Sequence, residues 1–309
     1  MNMKKFTTGV LIFVAVVMLG WIAFLIVQAI SSEPDATVDE IVQEIEDSDD
    51  TPLLEDTFVT VHLEVRQAST MDAGWGDLEN LVALADEYEV PLTIGFTPGW
   101  ASYALEEGKL SEVRAWESSG HELAMHHHGI SHASWDGYSN TPATSGRNDF
   151  LGDMEDLMVI LNQLPASGQI LTTGMTDEDV DFPEGILYNT TNRGDGAENP
   201  TASGSTFGSQ GGPSPEDMIS SPIAATYNGV DVIELGKMGF AIDHLSYDLT
   251  LEEIQERVYG AEEGQVLGLV LNDNTMEEHL DEAEDLFILL SAMGLDVQTV
   301  KDILVDVEL

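Results

Sequence analysis

The chain has 309 residues, with 57 Asp and Glu against 10 Lys and Arg, a net charge of −47 and no cysteine. Nucleic acid and anionic lipid surfaces are excluded as partners by this balance, because both would be repelled. The lack of cysteine excludes disulfides and attachment of a lipid through a cysteine.

The acidic residues are spread over the predicted helices and loops rather than collected in one tail. Repulsion on this scale destabilises a compact state in dilute buffer and is screened at high ionic strength. We therefore expect the protein to come from a salt-loving source. A calcium-covered surface is the competing explanation, but the nearest candidate loop, Asp177-x-Asp179-x-Asp181, has Phe182 where the calcium motif needs glycine.

The N-terminus contains an apolar segment, residues Gly9–Ile30, of 22 positions without a charge. A segment of about 20 apolar residues is long enough to cross a bilayer. Lys4 and Lys5 precede it, which predicts a cytoplasmic N-terminus and an extracellular remainder. We predict a single-pass membrane anchor over residues 1–30, although Val27-Gln-Ala29 also fits a signal-peptide cleavage site.

An acidic segment without aromatic residues follows at positions 31–56 and predicts a solvated flexible linker with a short helix at Val38–Ile45. Beyond it the chain alternates between two patterns. Continuous apolar or β-branched runs predict strands at Thr57–Val65, Val90–Phe96, Glu122–His126, Ile170–Met175, Gly185–Asn189, Val230–Leu235, Gly239–Ile242, Gln265–Leu271 and Leu295–Gln298. Apolar residues at helical spacing and two capping boxes predict helices at Leu78–Tyr88, Leu105–Trp116, Phe150–Leu164, Thr250–Tyr259, Thr275–Met293 and Thr299–Leu304.

Strands that alternate with helices predict an α/β domain with a parallel sheet over residues 57–309, either open or closed into a barrel. A barrel of about 250 residues would use nearly all of this length. Chemistry in such folds lies at the carboxyl ends of the strands. Three polar groups fall there by this prediction: Glu64 with Arg66, a histidine cluster after the third strand, and Asn272 with Asp273.

The histidine cluster occupies the segment Gly120–His132, GHELAMHHHGISH, and contains five of the eight histidines: His121, His126, His127, His128 and His132. Neutral imidazole is the commonest protein ligand for divalent metals, so the cluster predicts a metal site. His128 and His132 are four residues apart, which would place both rings on one face of a helical turn. The alternative interpretation is a polar loop whose histidines cap helices or pack in the core.

Several of these segments together resemble the polysaccharide deacetylase family (carbohydrate esterase family four). VPLTIGF followed by GHELAMH is similar to the family's N-V-P-A-T-F-F and G-H-E-I-G-N-H, and LGLVLNDN with MGLDVQTVKDIL is similar to its closing segments. The resemblance covers residues 57–309 apart from 133–227. It implies a distorted (β/α) barrel of the glycoside hydrolase/deacetylase type, here preceded by one transmembrane helix. The implied activity is metal-assisted removal of acetyl groups from polysaccharide chains.

The family's ligand set is one Asp and two His spaced four apart. The resemblance assigns the metal to Glu64, His128 and His132, with His126 as an alternative ligand if residues have been inserted. Zinc is the expected ion, with cobalt, nickel or manganese as alternatives. The family's proton carriers are altered, because Leu63 stands at the position of the catalytic base and Asn272 at that of the general acid.

The family's arginine motif has a faint parallel in Asp181-Phe-Pro-Glu-Gly185, in which Asp replaces the Arg. Proton acceptors that could replace the missing groups are Asp273, Asp243, His126 and His244, of which Asp273 and His126 are the catalytic candidates. Two functions therefore remain open. One is a metal-dependent deacetylase acting on acetylated cell-surface or extracellular carbohydrate, and the other is a catalytically silent barrel that binds carbohydrate or metal.

Trp75, Trp100, Trp116 and Trp135 could stack on sugar rings near the groove. Trp100 and Trp135 follow predicted strand ends and are candidates for stacking on sugar rings, whereas Trp116 lies in a helical pattern and is expected in the core. Asn189-Thr-Thr191 fits a glycosylation acceptor sequence on the extracellular side.

Overall fold

The computed structural model describes residues 37–48, 51–54, 56–129, 134–141, 150–175, 179–191, 219–235, 239–240 and 250–307. The helices are α1 Val38–Asp47, α2 Met71–Glu87, α3 Pro98–Glu106, α4 Leu110–Ser119, α5 Met154–Leu161, α6 Leu251–Tyr259, α7 Asp273–Glu278, α8 Leu280–Ala292 and α9 Val300–Leu304. The strands are β1 Asp56–His62, β2 Leu92–Phe96, β3 Glu122–His127, β4 Thr172–Met175, β5 Tyr188–Thr191, β6 Ile219–Ser220, β7 Ile223–Tyr227, β8 Val230–Leu235, β9 Gly239–Phe240, β10 Val266–Asn272 and β11 Asp296–Val297.

The strands form one mixed sheet in the order β6-β10-β1-β2-β3-β4-β5-β8-β7, with β9 and β11 paired at the side. Neighbouring strands are parallel from β10 to β8, and the short β6 and the β7–β8 hairpin are antiparallel. The prediction of an α/β domain with a parallel sheet is confirmed. All carboxyl ends of these parallel strands consequently lie at one edge of the sheet.

The sheet is curled like a barrel, because side chains from strands far apart in the sheet share one interior cluster. Phe58 of β1, Tyr188 of β5 and Leu235 of β8 are buried in the same cluster, although three strands separate β1 from β5. A flat sheet would keep these residues apart. Helix α9 closes this interior with Val300 and Leu304.

The junction between α9 and the sheet rests on polar groups. Glu122, at the start of β3, accepts a hydrogen bond from the backbone nitrogen of Lys301 (3.0 Å), and the Thr93 hydroxyl accepts one from Val300 (3.0 Å). Backbone N–H groups in the first turn of a helix have no acceptor within the helix. The two hydrogen bonds therefore cap the start of α9. Burial raises the pKa of Glu122. The hydrogen bonds that it accepts from Thr172, Lys301 and Thr93 lower the pKa, but by less than burial raises it.

Helix α1 lies within the segment predicted as a flexible linker, and it packs against the body of the protein. Ile41 and Ile45 are buried in the main core, on the side of α8 and α6. Its polar residues, among them Gln43 and Glu44, face solvent. The amphipathic spacing of these two isoleucines is the reason this stretch is a docked helix rather than a solvated spacer.

No helix among the described residues is long and apolar enough to span a membrane. The predicted anchor, residues Gly9–Ile30, lies outside the described part of the chain. Membrane attachment and an extracellular position therefore remain expectations.

Several boundaries differ from the sequence-based expectation for local reasons. The predicted helix Leu105–Trp116 is two helices, because Gly108 adopts a left-handed conformation (φ 75°) between α3 and α4. The β7–β8 hairpin was not predicted, although Asn228-Gly229 at its turn has positive φ at both residues, as tight hairpins require.

Asn189, a candidate glycosylation acceptor, is not on the surface. This side chain is buried on β5, and its amide nitrogen donates to the Glu234 carboxylate on β8 (2.7 Å). A glycosylation acceptor must be reachable by the modifying enzyme. The folded chain does not present Asn189 for that modification.

Candidate metal centre

The candidate metal centre lies at the carboxyl ends of β1 and β3. His62 is the last residue of β1 and Glu64 follows it, while β3 runs through His127. Side chains alternate between the two faces of a strand, so His126 and His128 point to the same side and His127 to the other. The parallel pairing of β1, β2 and β3 brings Glu64 and the two rings together.

The hydrogen bonds of the two rings fix their tautomers. His126 Nδ1 lies 2.9 Å from the Gly174 carbonyl, and His128 Nδ1 lies 3.2 Å from the Ser134 carbonyl. A carbonyl oxygen only accepts hydrogen bonds, so both Nδ1 atoms carry the hydrogen. In each neutral ring, Nε2 is then unprotonated and presents a lone pair.

These two lone pairs face each other and a carboxylate. The Nε2 atoms of His126 and His128 are 2.8 Å apart, in rings that meet edge to face at 80°. Glu64 Oε2 lies 3.1 Å from His128 Nε2, and Glu64 Oε1 lies 3.6 Å from His126 Nε2. Such groups repel one another unless a proton or a metal cation lies between them. Two imidazoles and one carboxylate, with both rings held from behind, are a donor set that fits a divalent metal.

His62 adds a third imidazole that sequence analysis did not single out. Its ring stacks on His126 with centroids 4.1 Å apart and planes 21° from parallel. Ligand atoms of His62, Glu64 and His126 all lie within 4.8 Å of one another. His62 is therefore a further candidate ligand beside Glu64 and His126. The signal in the sequence was its place two residues before Glu64.

The charge of Glu64 is set by these rings. Burial raises the pKa of this carboxyl, but a hydrogen bond with His126 and the positive charges that His128, His126 and His62 carry when they are protonated outweigh burial and hold the pKa below its ordinary value. The group is therefore an anionic oxygen donor at neutral pH. Its side chain is 37% exposed, so the centre is open to solvent on this side.

Two glycines make room for the rings. A Cβ at Gly95 on β2 would lie 3.1 Å from the His126 Cβ, and one at Gly174 on β4 would lie 3.2 Å from His62 Nε2. Larger residues on either neighbouring strand would push the imidazoles away from their positions. The strands that flank β1 and β3 thus contribute space to the site.

The backbone of Glu64 is held by Trp100, whose indole nitrogen donates to the Glu64 carbonyl (2.9 Å). Arg66 lies over the Trp100 ring at 5.6 Å and pairs with Glu277 at 2.5 Å. Trp100 is fully buried, and the Trp135 indole is buried with its nitrogen on the Tyr138 carbonyl. Burial leaves neither of these candidate rings exposed for stacking on a sugar, while the core position of Trp116 is confirmed.

The other histidines of the tract have separate roles. His121 Nδ1 accepts a hydrogen bond from the Leu92 backbone nitrogen (2.9 Å) and its Nε2 lies 3.3 Å from Asp86. Burial lowers the pKa of His121 and Asp86 partly opposes it. His121 is thus a neutral structural residue between β2 and α2. His132, predicted as a ligand, lies outside the described residues.

Of the other residues predicted for the site, the structure describes the side chains of some and not of others. Leu63 is a fully buried core residue, and Asn272 pairs with His62 in the register of β10 and β1, at the same edge as the centre. Asp273 opens α7 directly after β10, but its side chain lies outside the described part of the structure, as do Asp243 and His244. His126, both a catalytic candidate and the alternative ligand from the sequence, lies with Nδ1 on the Gly174 carbonyl and Nε2 facing His128 Nε2.

Neither a protein-family model nor a curated protein sequence matches this chain. Two solved structures described as polysaccharide deacetylases, from Mycobacterium smegmatis and Pseudomonas aeruginosa, are each 14% identical and match 82% of this chain, with TM-scores of 0.45 and 0.48 over 88% and 90% of their own lengths. A 4-alpha-glucanotransferase from Thermococcus litoralis matches with a TM-score of 0.52 at 10% identity, over 82% of this chain and 41% of that enzyme. The last similarity shows a shared fold and nothing about activity.

Proposed function

We propose that the protein is a metal-dependent hydrolase of the polysaccharide deacetylase type, acting on acetylated carbohydrate. The observation that carries this proposal is the pair of Nε2 lone pairs of His126 and His128, which converge with the Glu64 carboxylate. The proposed ligand set keeps Glu64 and His128 from the resemblance and adds His126, which the sequence offered as an alternative ligand. His132 lies outside the described residues.

When bound, a divalent ion supplies Lewis acidity, which polarises an acyl carbonyl and acidifies water. Hydrolysis of an acetyl amide or ester also needs a group that takes a proton from water and one that gives a proton to the leaving nitrogen or oxygen. Among the described residues, His62 is an ionisable side chain that lies beside the ligand set. Sequence analysis did not consider it as a proton carrier. It lies on β1, where Asn272 pairs with it in register, and we propose it as a proton carrier where Glu64, His126 and His128 hold the ion.

A catalytically silent barrel that binds metal or carbohydrate is the second candidate. It is favoured by Leu63, which is fully buried and aliphatic, and by Asn272, whose amide cannot act as a general acid. Both residues stand where the family resemblance places proton carriers. The two candidates share the metal centre and differ in turnover.

The test is metal content and acetate release measured on the full-length chain in high salt. We expect about one equivalent of divalent metal in the wild type and loss of it in Glu64→Ala, His126→Ala and His128→Ala. His279→Ala is the matched control, because this partly exposed histidine pairs with Glu282 (2.8 Å) at the start of α8 and lies outside the centre.

Acetate release from acetylated oligosaccharides that disappears with the metal would support the hydrolase. Bound metal without acetate release would favour the silent barrel instead. Wild-type protein without metal, or ligand variants that keep it, would reject both.

A further inference from the structure

A second polar cluster lies behind the metal centre, on the opposite side of β3. It consists of Asp136, His127 and Asp181, which are all buried. His127 Nδ1 lies 2.8 Å from Asp136 Oδ2, and His127 Nε2 lies 3.6 Å from Asp181 Oδ2. A histidine between two carboxylates in the interior needs a reason, since burying charged groups costs free energy.

Asp136 forms hydrogen bonds with both backbone polar groups of His128, the nitrogen and the carbonyl oxygen. Asp136 Oδ2 accepts a hydrogen bond from the His128 backbone nitrogen (3.2 Å), and the Asp136 backbone nitrogen donates to the His128 carbonyl (3.2 Å). Asp136 Oδ1 accepts from the Tyr138 backbone nitrogen (3.1 Å). The carboxylate therefore receives three donors, from His127, His128 and Tyr138, and donates none.

The same loop supplies the acceptor that orients the His128 ring. Ser134, whose carbonyl receives His128 Nδ1, stands two residues before Asp136. On the other side of His127, Asp181 Oδ1 accepts from the Ser139 hydroxyl (3.0 Å) and the Asn140 backbone nitrogen (2.6 Å). Both carboxylates thus tie the loop 134–141 to the end of β3.

We propose that Asp136, supported by His127 and Asp181, is a positioning residue that fixes the backbone and ring of His128 so that its Nε2 faces Glu64. The inference rests on the proposed metal centre and adds the group that holds one of its ligands in place. A carboxylate is required at position 136 because this side chain accepts all three of its hydrogen bonds and donates none. An amide at position 136 would turn an NH2 group toward one of those donors.

The first test is Co²⁺ binding to full-length Asp136→Asn, measured by titration and by the visible absorption of the bound ion. Loss of such an outer group typically weakens metal binding by about 10- to 100-fold. We expect a loss in this range together with an altered absorption spectrum. Glu234→Gln is the matched control, since Glu234 is also a fully buried carboxylate with hydrogen bonds from Asn189 and Tyr227. We expect Glu234→Gln to lower stability without changing the Co²⁺ affinity or spectrum.

The second test needs no metal. In protein with ¹⁵N-labelled histidine, the nitrogen shifts of the metal-free wild type should show His126 and His128 as Nδ1–H tautomers. Asp136→Asn should change the tautomer balance of His128 and leave that of His126 unchanged. A change of both rings alike would contradict a specific role for Asp136.

Asp181→Asn serves if Asp136→Asn does not fold. It keeps every contact of Asp136 with His128 and removes only the second carboxylate, so we expect a several-fold loss of Co²⁺ affinity. Wild-type affinity and spectrum in the folded variants would overturn the inference, and so would an equal loss in Glu234→Gln. If the wild type binds no metal, the proposed function fails while the tautomer test still decides whether Asp136 positions His128.

Discussion

Each imidazole has two nitrogens, and at this site one of them holds the ring while the other faces the centre. His126 and His128 use Nδ1 on the carbonyls of Gly174 and Ser134, which leaves Nε2 for the Glu64 side. His121 and His127 instead have a structural partner near each ring nitrogen, and neither nitrogen faces the centre. Identical residues in one short tract therefore differ in role through their hydrogen-bond partners.

A methyl group at position 174 should disturb the centre from the neighbouring strand. In Gly174→Ala the new Cβ would lie 3.2 Å from His62 Nε2 and 3.4 Å from the Thr190 hydroxyl, so the imidazoles must shift. We expect weaker metal binding and a loss of about 1–3 kcal/mol in the free energy of unfolding, as for other overpacked sites. Metal titration and urea unfolding measure both effects.

Gly76→Ala is the control for that substitution. Gly76 lies in α2, and a Cβ added there would have open space within 4 Å, while alanine is the better helix former by about 0.5–1 kcal/mol. This variant should be at least as stable as the wild type with unchanged metal binding. Equal metal binding in Gly174→Ala and Gly76→Ala would show that the space beside His62 does not matter.

His127 should make stability depend on pH. Burial disfavours its charge, but Asp136 and Asp181 outweigh burial and raise the pKa of His127 to about 9. The folded state then holds a proton that the unfolded state releases above its ordinary pKa near 6.5. The stabilisation is complete below about pH 6.5 and disappears as the pH rises through about 9.

We expect urea unfolding with a metal chelator present to show lower stability at pH 9.5 than at pH 6, by an amount on the order of 3 kcal/mol. His127→Gln should be less stable at pH 6 and lose most of this pH dependence. His279→Gln should keep it. A wild-type profile in His127→Gln would mean that another group carries the effect.

At the scale of elements, α1 packs on the core from a segment that precedes residue 57. Ile41 and Ile45 are buried in the main core. Burial raises the pKa of Asp285, and the nearby acids Asp281, Glu284 and Asp39 raise it further. Apolar contact and like-charge repulsion therefore meet at one interface. The helix stays docked because burying an isoleucine contributes about 1.5–3 kcal/mol, more than exposed like charges typically cost.

Ile41→Ala should lower the free energy of unfolding by about 2–4 kcal/mol through loss of buried apolar volume. Gln43→Ala, on the exposed side of the same helix, should have almost no effect. A fragment beginning at residue 57 should accordingly be less stable than one beginning at residue 37. Equal urea midpoints for the two fragments would show that α1 does not contribute to the fold.

At the scale of the whole molecule, the net charge of −47 sets the conditions in which the fold is stable. Two unit charges 10 Å apart in water interact by about 0.4 kcal/mol. Summed over many acidic neighbours, this repulsion reaches several kcal/mol, and salt shortens its range from about 10 Å at 0.1 M to about 3 Å at 1 M. Origin from a salt-loving source remains a prediction from this composition.

We expect the urea midpoint to rise steadily as KCl is raised from about 0.1 M to about 2 M. Much of the rise should occur below about 1 M, where the screening length changes most. Sucrose is the control, because it favours compact states without screening charge. A midpoint that is flat or falls with KCl would contradict the electrostatic explanation.

The sequence by itself determined the alternation of strands and helices, the acidic surface and the place of a histidine cluster at a strand end, because hydrophobic period and charge are local properties. The resemblance led to His128 and His132 with His126 as the alternative; β3 continues to His127, so that His126 and His128 share a face, and His132 lies outside the described residues. The convergence of those rings with Glu64, the stacking of His62 and the burial of Trp100, Trp135 and Asn189 were decided by the tertiary structure. These features depend on the register between β1, β2, β3 and β4, which joins residues more than 25 positions apart, and no local pattern encodes that register.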